Sequence, residues 1–185
     1  MSIFDLQLET ERLLLRPPQA QDFEPWAAFI ADEESARHIG GMQPRAVAWR
    51  SFAAMIGVWH LHGFAFFSVI EKATGQWVGR LGPWNPEGWP GTEVGWSIAR
   101  EYWGKGFAPE GATAATDWAF QTLGWSEVIH TIAEENINSK TVAAKLGSRF
   151  LRMGWLPTPY DEKPVEIWGQ SREQWNAQRK AQGRA

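Results

Sequence analysis

At 185 residues the chain is long enough for one ample core and short for two. Its 18 Lys and Arg against 21 Asp and Glu leave a net charge of −3 with no basic block, which speaks against a nucleic-acid partner. Charged residues near the start (Asp5, Glu9, Glu11, Arg12) do not suit a signal peptide, no apolar run approaches the ~20 residues of a bilayer span, and zero cysteines exclude disulfides, thiolate metal sites and acyl-cysteine chemistry. One soluble, cytoplasmic domain over residues 1–185 is expected.

In chain order, residues 8–16 alternate weakly and run into Pro17-Pro18, which favours a strand over a helix. Asp22 reads as a cap for a helix over 23–30, and a second helix over about 46–60 sets Phe52, Met55 and Trp59 on one face. After Gly63, apolar runs at 64–70 and 76–81 flank Lys72-Ala73-Thr74-Gly75 as a hairpin. Residues 82–91, rich in Gly and Pro, predict a loop holding Trp84 and Trp89. A strand follows at 92–98, then a glycine-rich turn and a helix opened by Pro109, with Gly111, Ala115, Trp118, Ala119 and Thr122 on one face and Gly124 ending it. A strand at 126–133, reached through a helical crossover, is expected to lie parallel to the one at 92–98. Asn138 or Ser139 caps a short helix with Val142, Ala143 and Leu146 inward. Residues 150–156 and 164–168 form a closing antiparallel pair, and the chain is polar from Ser171 on, with 176–185 read as a tail. The 13 tryptophans read first as filling for the core and interfaces.

The most informative stretch is Trp103-Gly104-Lys105-Gly106-Phe107-Ala108 between a strand and a helix. Glycines let backbone approach a ligand closely, and the unpaired amides of a helix's first turn, with its dipole, favour an anion such as phosphate. A Walker loop fails on spacing, since Ala99 and Gly106 stand where Gly and Ser/Thr belong; the dinucleotide fingerprint fails because Pro109 replaces its third glycine.

The turn resembles the pyrophosphate-binding motif of the GCN5-related N-acetyltransferases, in the form used by the ribosomal-protein N-acetyltransferase-like (RimJ/RimL-type) branch, where tryptophan opens the motif. Glu9-Thr10-Glu11-Arg12-Leu13-Leu14-Leu15-Arg16 resembles that branch's first strand. Glu135-Asn136-Ile137-Asn138-Ser139 with Lys145-Leu146-Gly147 resembles its last coenzyme-contacting helix. Together the likeness covers about residues 8–175. It implies the acyl-CoA N-acyltransferase fold, a mixed α/β architecture with a mostly antiparallel sheet whose two central parallel strands splay apart between flanking helices. It also implies direct acetyl transfer from acetyl-CoA to an amine, either a protein N-terminus or a small molecule, by a monomer or homodimer without nucleic acid, membrane or metal. A non-catalytic acyl-CoA-binding or sensing module and an unrelated nucleotide-binding regulator stand as alternatives.

The resemblance assigns coenzyme contacts to Trp96, Ser97, Ile98 and Arg100 at the end of the strand, to Trp103, Gly104, Lys105, Gly106, Phe107 and Ala108 in the turn, and to Asn136 and Ser139. Glu93 matches a strand glutamate that serves as base through water in relatives, and Ser139 matches a serine assigned as acid. The tyrosine many relatives use as acid is Ala143 here, and the two tyrosines present are Tyr102 and Tyr160. Trp26, Trp84, Trp89, Trp155 and Tyr160 are candidates for the rim of an acceptor pocket. His130 is an alternative base or a hydrogen-bonded core histidine; His60 and His62, two apart on a helix, diverge and do not suggest a metal site.

Overall fold

A computed structural model describes residues 5–181 and Gly183. Among these residues eight strands, β1 (Leu8–Glu9), β2 (Leu13–Arg16), β3 (Phe67–Glu71), β4 (Trp77–Trp84), β5 (Glu93–Ile98), β6 (Glu127–Ile132), β7 (Arg149–Gly154) and β8 (Val165–Ser171), form one sheet in the order β1-β2-β3-β4-β5-β6-β8-β7, antiparallel except between β5 and β6. The expected first strand is two: β1 (Leu8–Glu9) and β2 (Leu13–Arg16) fold back on each other around Thr10–Arg12, with Leu8 opposite Leu15. A 3-10 turn (Ala20–Asp22) leads into α1 (Phe23–Ala31), followed by α2 (Glu33–Ala36) and α3 (Arg45–His62), which Gly63 stops with φ 73°. Asp22 does not cap α1 with its side chain. The carboxylate instead takes a buried bidentate pair from Arg16 (2.7 and 2.8 Å) and hydrogen bonds from Ser68 Oγ and the Gln19 amide. Breaking such a buried pair from one side costs about 3–5 kcal/mol.

The hairpin β3 (Phe67–Glu71) and β4 (Trp77–Trp84) closes at Gly75 (φ 69°) as expected, yet β4 runs three residues further than its Gly82-Pro83-Trp84 ending suggests. Those residues pair with Gly95, Val94 and Glu93 of β5 (Glu93–Ile98). Pro83 is tolerated because its position in the ladder turns its missing N–H away from β5, and β3 has already ended there, its Phe67 lying opposite Leu81. Helix α4 (Phe107–Gln121) lies so close on the sheet that a Cβ at Gly111 would stand 2.5 Å from Leu81 Cδ2. Its inward face carries Ala112, Ala115, Trp118 and Ala119, but Thr122 is exposed, contrary to expectation. Trp118 meets Phe67 and Trp59 in a cluster joining α4, β3 and α3, while Trp26, Phe29 and Trp77 seal α1 against β4. Burying each such ring contributes roughly 1.5–3 kcal/mol.

Strand β6 (Glu127–Ile132) is followed by α5 (Ile137–Lys145), then β7 (Arg149–Gly154) and β8 (Val165–Ser171). Asn136, rather than Asn138 or Ser139, caps α5, its Oδ1 accepting the Ser139 amide at 3.1 Å. The polar stretch from Ser171 is not a tail to residue 181. It forms α6 (Arg172–Ala181), which buries Trp175 and donates its indole N–H to Asp117 at 2.7 Å.

Candidate active site

The sheet forks at its centre. β5 and β6 are paired at Glu93 and Ile129, where the Ile129 amide donates to the Thr92 carbonyl at 2.9 Å, and no further rung follows. In a parallel ladder the next rung would run from the Thr131 amide to the Val94 carbonyl. Here side chains take both groups. The Glu93 carboxylate accepts from Thr131 N (3.2 Å) and Thr131 Oγ1, and His130 Nδ1 sits 2.7 Å from the Val94 carbonyl. Because a carbonyl only accepts, His130 carries its proton on Nδ1; Nε2 then accepts from Ser148 Oγ at 2.9 Å, which in turn takes Gln170 Nε2. Burial pulls the His130 pKa down to about 4 against the Val94 bond. This neutral, doubly bonded histidine props the fork and is the core histidine of the two readings.

Beyond the fork lies a cleft of about 780 Å³. Trp96, Ser97 and Ile98 form one wall, Asn136 to Ser139 and Val142 the other, the α4 N-terminus closes one end, and Glu34, Ser35, Arg37, His38 and Ile39, at and after α2, complete the lining. The Ala99 amide bonds the Val78 carbonyl at 2.9 Å, so odd-numbered residues of β5 spend their backbone groups on β4, and Val94, Trp96 and Ile98 direct theirs to the cleft side. The Ile98 carbonyl is taken by Trp103 Nε1 at 2.6 Å, which leaves the Trp96 amide and carbonyl and the Ile98 amide facing the cleft. The backbone of Ser97 is committed to Arg80 across the ladder, so this residue reaches the cleft by its side chain alone. Arg100 is turned away from the cleft; its amide donates to Ser35 Oγ and its guanidinium faces Asp32 at 3.4 Å.

At the α4 end, Gly104 and Gly106 hold φ of 77° and 81°, a conformation that disfavours any side chain, and Gly106 is the N-cap. Phe107 and Ala108 present first-turn amides, while Pro109, at the third position, has none to present. Lys105 is exposed and is not itself part of the cleft lining; its Nζ lies 4.6 Å from the Tyr102 ring centre. The turn is bolted from behind by residues the sequence did not connect to it. Arg12 donates to the Lys105 carbonyl (2.9 Å) and to Glu110, and Thr10 Oγ1 also reaches Glu110. Burial acts to raise the Glu110 pKa, but the bonds from Thr10 and Arg12 outweigh it and hold it below the usual range.

Across the cleft, Ser139 Oγ accepts from Trp96 Nε1 at 3.3 Å, which frees the hydroxyl proton to donate. With Oδ1 used as the cap, Asn136 keeps its Nδ2 as a donor. Ala143 is fully buried and offers no proton. Glu93 is 5% exposed; desolvation raises its pKa to about 7 against the bonds from Trp89 and Thr131 and the charge of Arg80. From Glu93 a file of rings leads outward: its partner Trp89, then Trp84 and Tyr160, each about 6.4 Å from Trp89 edge to face. Trp155 is 60% exposed on the segment between β7 and β8. Trp26 does not rim a pocket: it is 1% exposed, with its indole N–H on the Ala48 carbonyl, because α1 packs it inward against Trp77.

A mostly antiparallel sheet with one parallel pair that splays around a cleft is the acyl-CoA N-acyltransferase architecture. The chain belongs to the acetyltransferase (GNAT) domain family, whose model matches residues 12–149, and it is an acyltransferase. It is 30% identical over 135 residues to the uncharacterized N-acetyltransferase p20 of Bacillus licheniformis, spanning 71% of this chain and 76% of that one. In structure it is similar to an acetyltransferase from Agrobacterium tumefaciens str. C58, with TM-score 0.80, 28% identity and coverage of 90% and 95%. RimJ of Mycobacterium smegmatis, solved in complex with CoA-disulfide, shares the fold at TM-score 0.70 and 19% identity over 93% and 90% of the two chains. Acetyl-CoA is the family's acyl donor. The present residues suit such a donor: an amide cradle without a Cβ at its two glycines for a pyrophosphate, and backbone groups of Trp96 and Ile98 spaced along the cleft for an amide-bearing arm.

Proposed function

We propose that this chain transfers acetyl directly from acetyl-CoA to a primary amine, with the cleft as donor site and the Glu93 side of the fork as acceptor site. The observation that supports this most is the cleft itself, which runs from the glycine-bracketed first turn of α4 along Ile98, Ser97 and Trp96 of β5, the strand that carries Glu93 three residues further on. Bound acetyl-CoA supplies an acyl carbon activated as a thioester and a thiolate leaving group. The amides of Phe107 and Ala108, with Gly104 and Gly106, hold the pyrophosphate; the Trp96 and Ile98 amides orient the arm and the thioester carbonyl. Glu93, reached through water, takes the amine's proton as the nitrogen–carbon bond forms. Ser139 Oγ donates to the sulfur as the carbon–sulfur bond breaks, and solvent replaces its proton. A protein N-terminus and a small-molecule amine both fit this donor machinery.

A CoA-release assay over a panel of amines tests the reading, with Glu93→Gln and Ser139→Ala beside the parent. Loss of turnover in both variants, with acetyl-CoA binding retained by titration, supports it; unchanged turnover removes those two roles. The buried Ala143, where relatives place a tyrosine acid, favours a second reading as an acyl-CoA-binding module. Tight acetyl-CoA binding with no CoA release on any amine would establish that reading instead.

A further inference from the structure

Most arginines here have an anionic or carbonyl partner; the most deeply set of them, Arg16, is locked to Asp22. Arg80 is different. Its guanidinium lies between the rings of Trp26 (4.8 Å) and Phe66 (4.5 Å), and its Nε is closed off from solvent without a hydrogen-bond partner. Among the described residues no carboxylate stands within ion-pair distance of it. Burial lowers its pKa to about 10, with Tyr160 and Glu93 acting in the opposite sense, so it stays charged at neutral pH. The flanking rings stabilise a cation through their faces, but they leave the in-plane donors of the guanidinium unused. Only the Nε is sealed from solvent and the residue as a whole is half-buried, so the other guanidinium N–H groups stay open to an anion from outside.

The ladder sets Arg80 on the same face of the sheet as two residues of the candidate site. Arg80 lies opposite Ser97, Gly82 opposite Gly95, and Trp84 opposite Glu93, so all six share one face of the sheet. Ser97 lines the donor cleft, and Glu93 is the candidate base. A cation and a carboxylate therefore stand at the two ends of a strip whose middle is a pair of glycines. Phe66 closes over that strip, its ring 3.0 Å from where a Cβ on Gly95 would be, and stacks on Trp84 at 4.8 Å. The two charged groups are not bonded to each other. Their opposite signs match a molecule that carries an amine and a carboxylate, whereas a polyamine would set like charge against Arg80.

We propose that Arg80 receives a carboxylate on the acceptor, which makes the acceptor an amino-acid-like amine. This rests on the acetyl-transfer reading above. The acceptor's amine is directed toward Glu93, and its carboxylate takes the unused N–H donors of Arg80.

The test begins with the parent protein saturated with CoA. N-acetylated amino acids and their C-terminal amides are titrated by calorimetry, together with an N-acetyl tripeptide that ends in a free carboxylate. Carboxylates are expected to bind about 10- to 100-fold more tightly than the matching amides, the range of a charge-assisted hydrogen-bonded pair. The N-acetylated amino acid and the N-acetyl tripeptide tell the two carriers of that group apart. Equal affinity for acids and amides overturns the proposal. In Arg80→Gln the ratio is expected to fall to near one, and in Arg80→Lys to an intermediate value; a full preference in a folded Arg80→Gln protein also overturns it. If Arg80→Gln does not fold, the parent ratio and Arg80→Lys decide. Should acids bind selectively while no amine releases CoA, the acetyl-transfer reading fails and the anion site stands.

Discussion

Replacing Glu93 by Gln separates its charge from its shape, and the consequence depends on pH in a way the structure sets. In the unfolded chain this carboxyl titrates near its ordinary value of 4.5; in the fold, burial raises it to about 7. Between those values the folded protein binds the proton and the unfolded chain does not, so stability falls as pH rises. The benefit is fully present below 4.5 and gone above 7. The gap of roughly 2.5 units amounts to about 3 kcal/mol across the window. Urea unfolding of the parent and of Glu93→Gln at intervals from pH 4 to 8.5 measures it. The difference between the two proteins cancels other titrating groups, including His130, whose lowered pKa works in the opposite sense over pH 4 to 6.5. The parent should lose about 3 kcal/mol relative to the variant over the range. In parallel, its kcat/KM should rise with pH through about 7, and the inflection should be missing from residual variant activity. A stability difference that stays flat from pH 4 to 8.5 would refute the reasoning, because Glu93 would then titrate alike in both states.

Gly106→Ala places a side chain at φ 81° beside Arg12, and should cost about 1–2 kcal/mol in melting experiments and weaken acetyl-CoA in a titration. Glu110→Gln removes the charge that holds Arg12 behind the turn; acetyl-CoA affinity should fall several-fold, more than in Lys105→Ala, whose ammonium faces Tyr102. Trp175→Ala empties the contact of α6 with Phe120 and Asp117, and denaturant unfolding should show a loss of about 3–5 kcal/mol.

The glycine turn, the two long helices, the hairpin and the parallel crossover were legible because each has a local cause: a positive φ, a 3.6-residue period or a loop too long for a hairpin. Elements set by distant partners were not. Residues 8–16 look like one strand until Arg12 is seen bound to Glu110 and Lys105, 98 and 93 positions away. Residues 82–84 look like loop because Gly and Pro are poor strand formers, and only β5 makes them a strand. The segment after Ser171 is polar enough to pass for a tail, although Trp175 among charged neighbours was the sign of an amphipathic helix. In the candidate site, Glu93 and Ser139 were singled out by the resemblance to a family, and the core reading of His130 was open from its place in a strand. The bond of His130 to the orphaned Val94 carbonyl and the setting of Arg80 between two rings were not legible, since both depend on residues distant in the chain.

The fork has a thermodynamic consequence for ligand association. Its two displaced backbone groups are already satisfied by Glu93 and His130 in the free protein, so the strands need no guest to hold them apart. Donor association should therefore carry no term for separating a sheet: its heat-capacity change should match the surface buried by the ligand alone, and strand amides of β5 and β6 should exchange hydrogen at similar rates with and without it. The gap in the sheet is thus set when the chain folds, before any ligand binds.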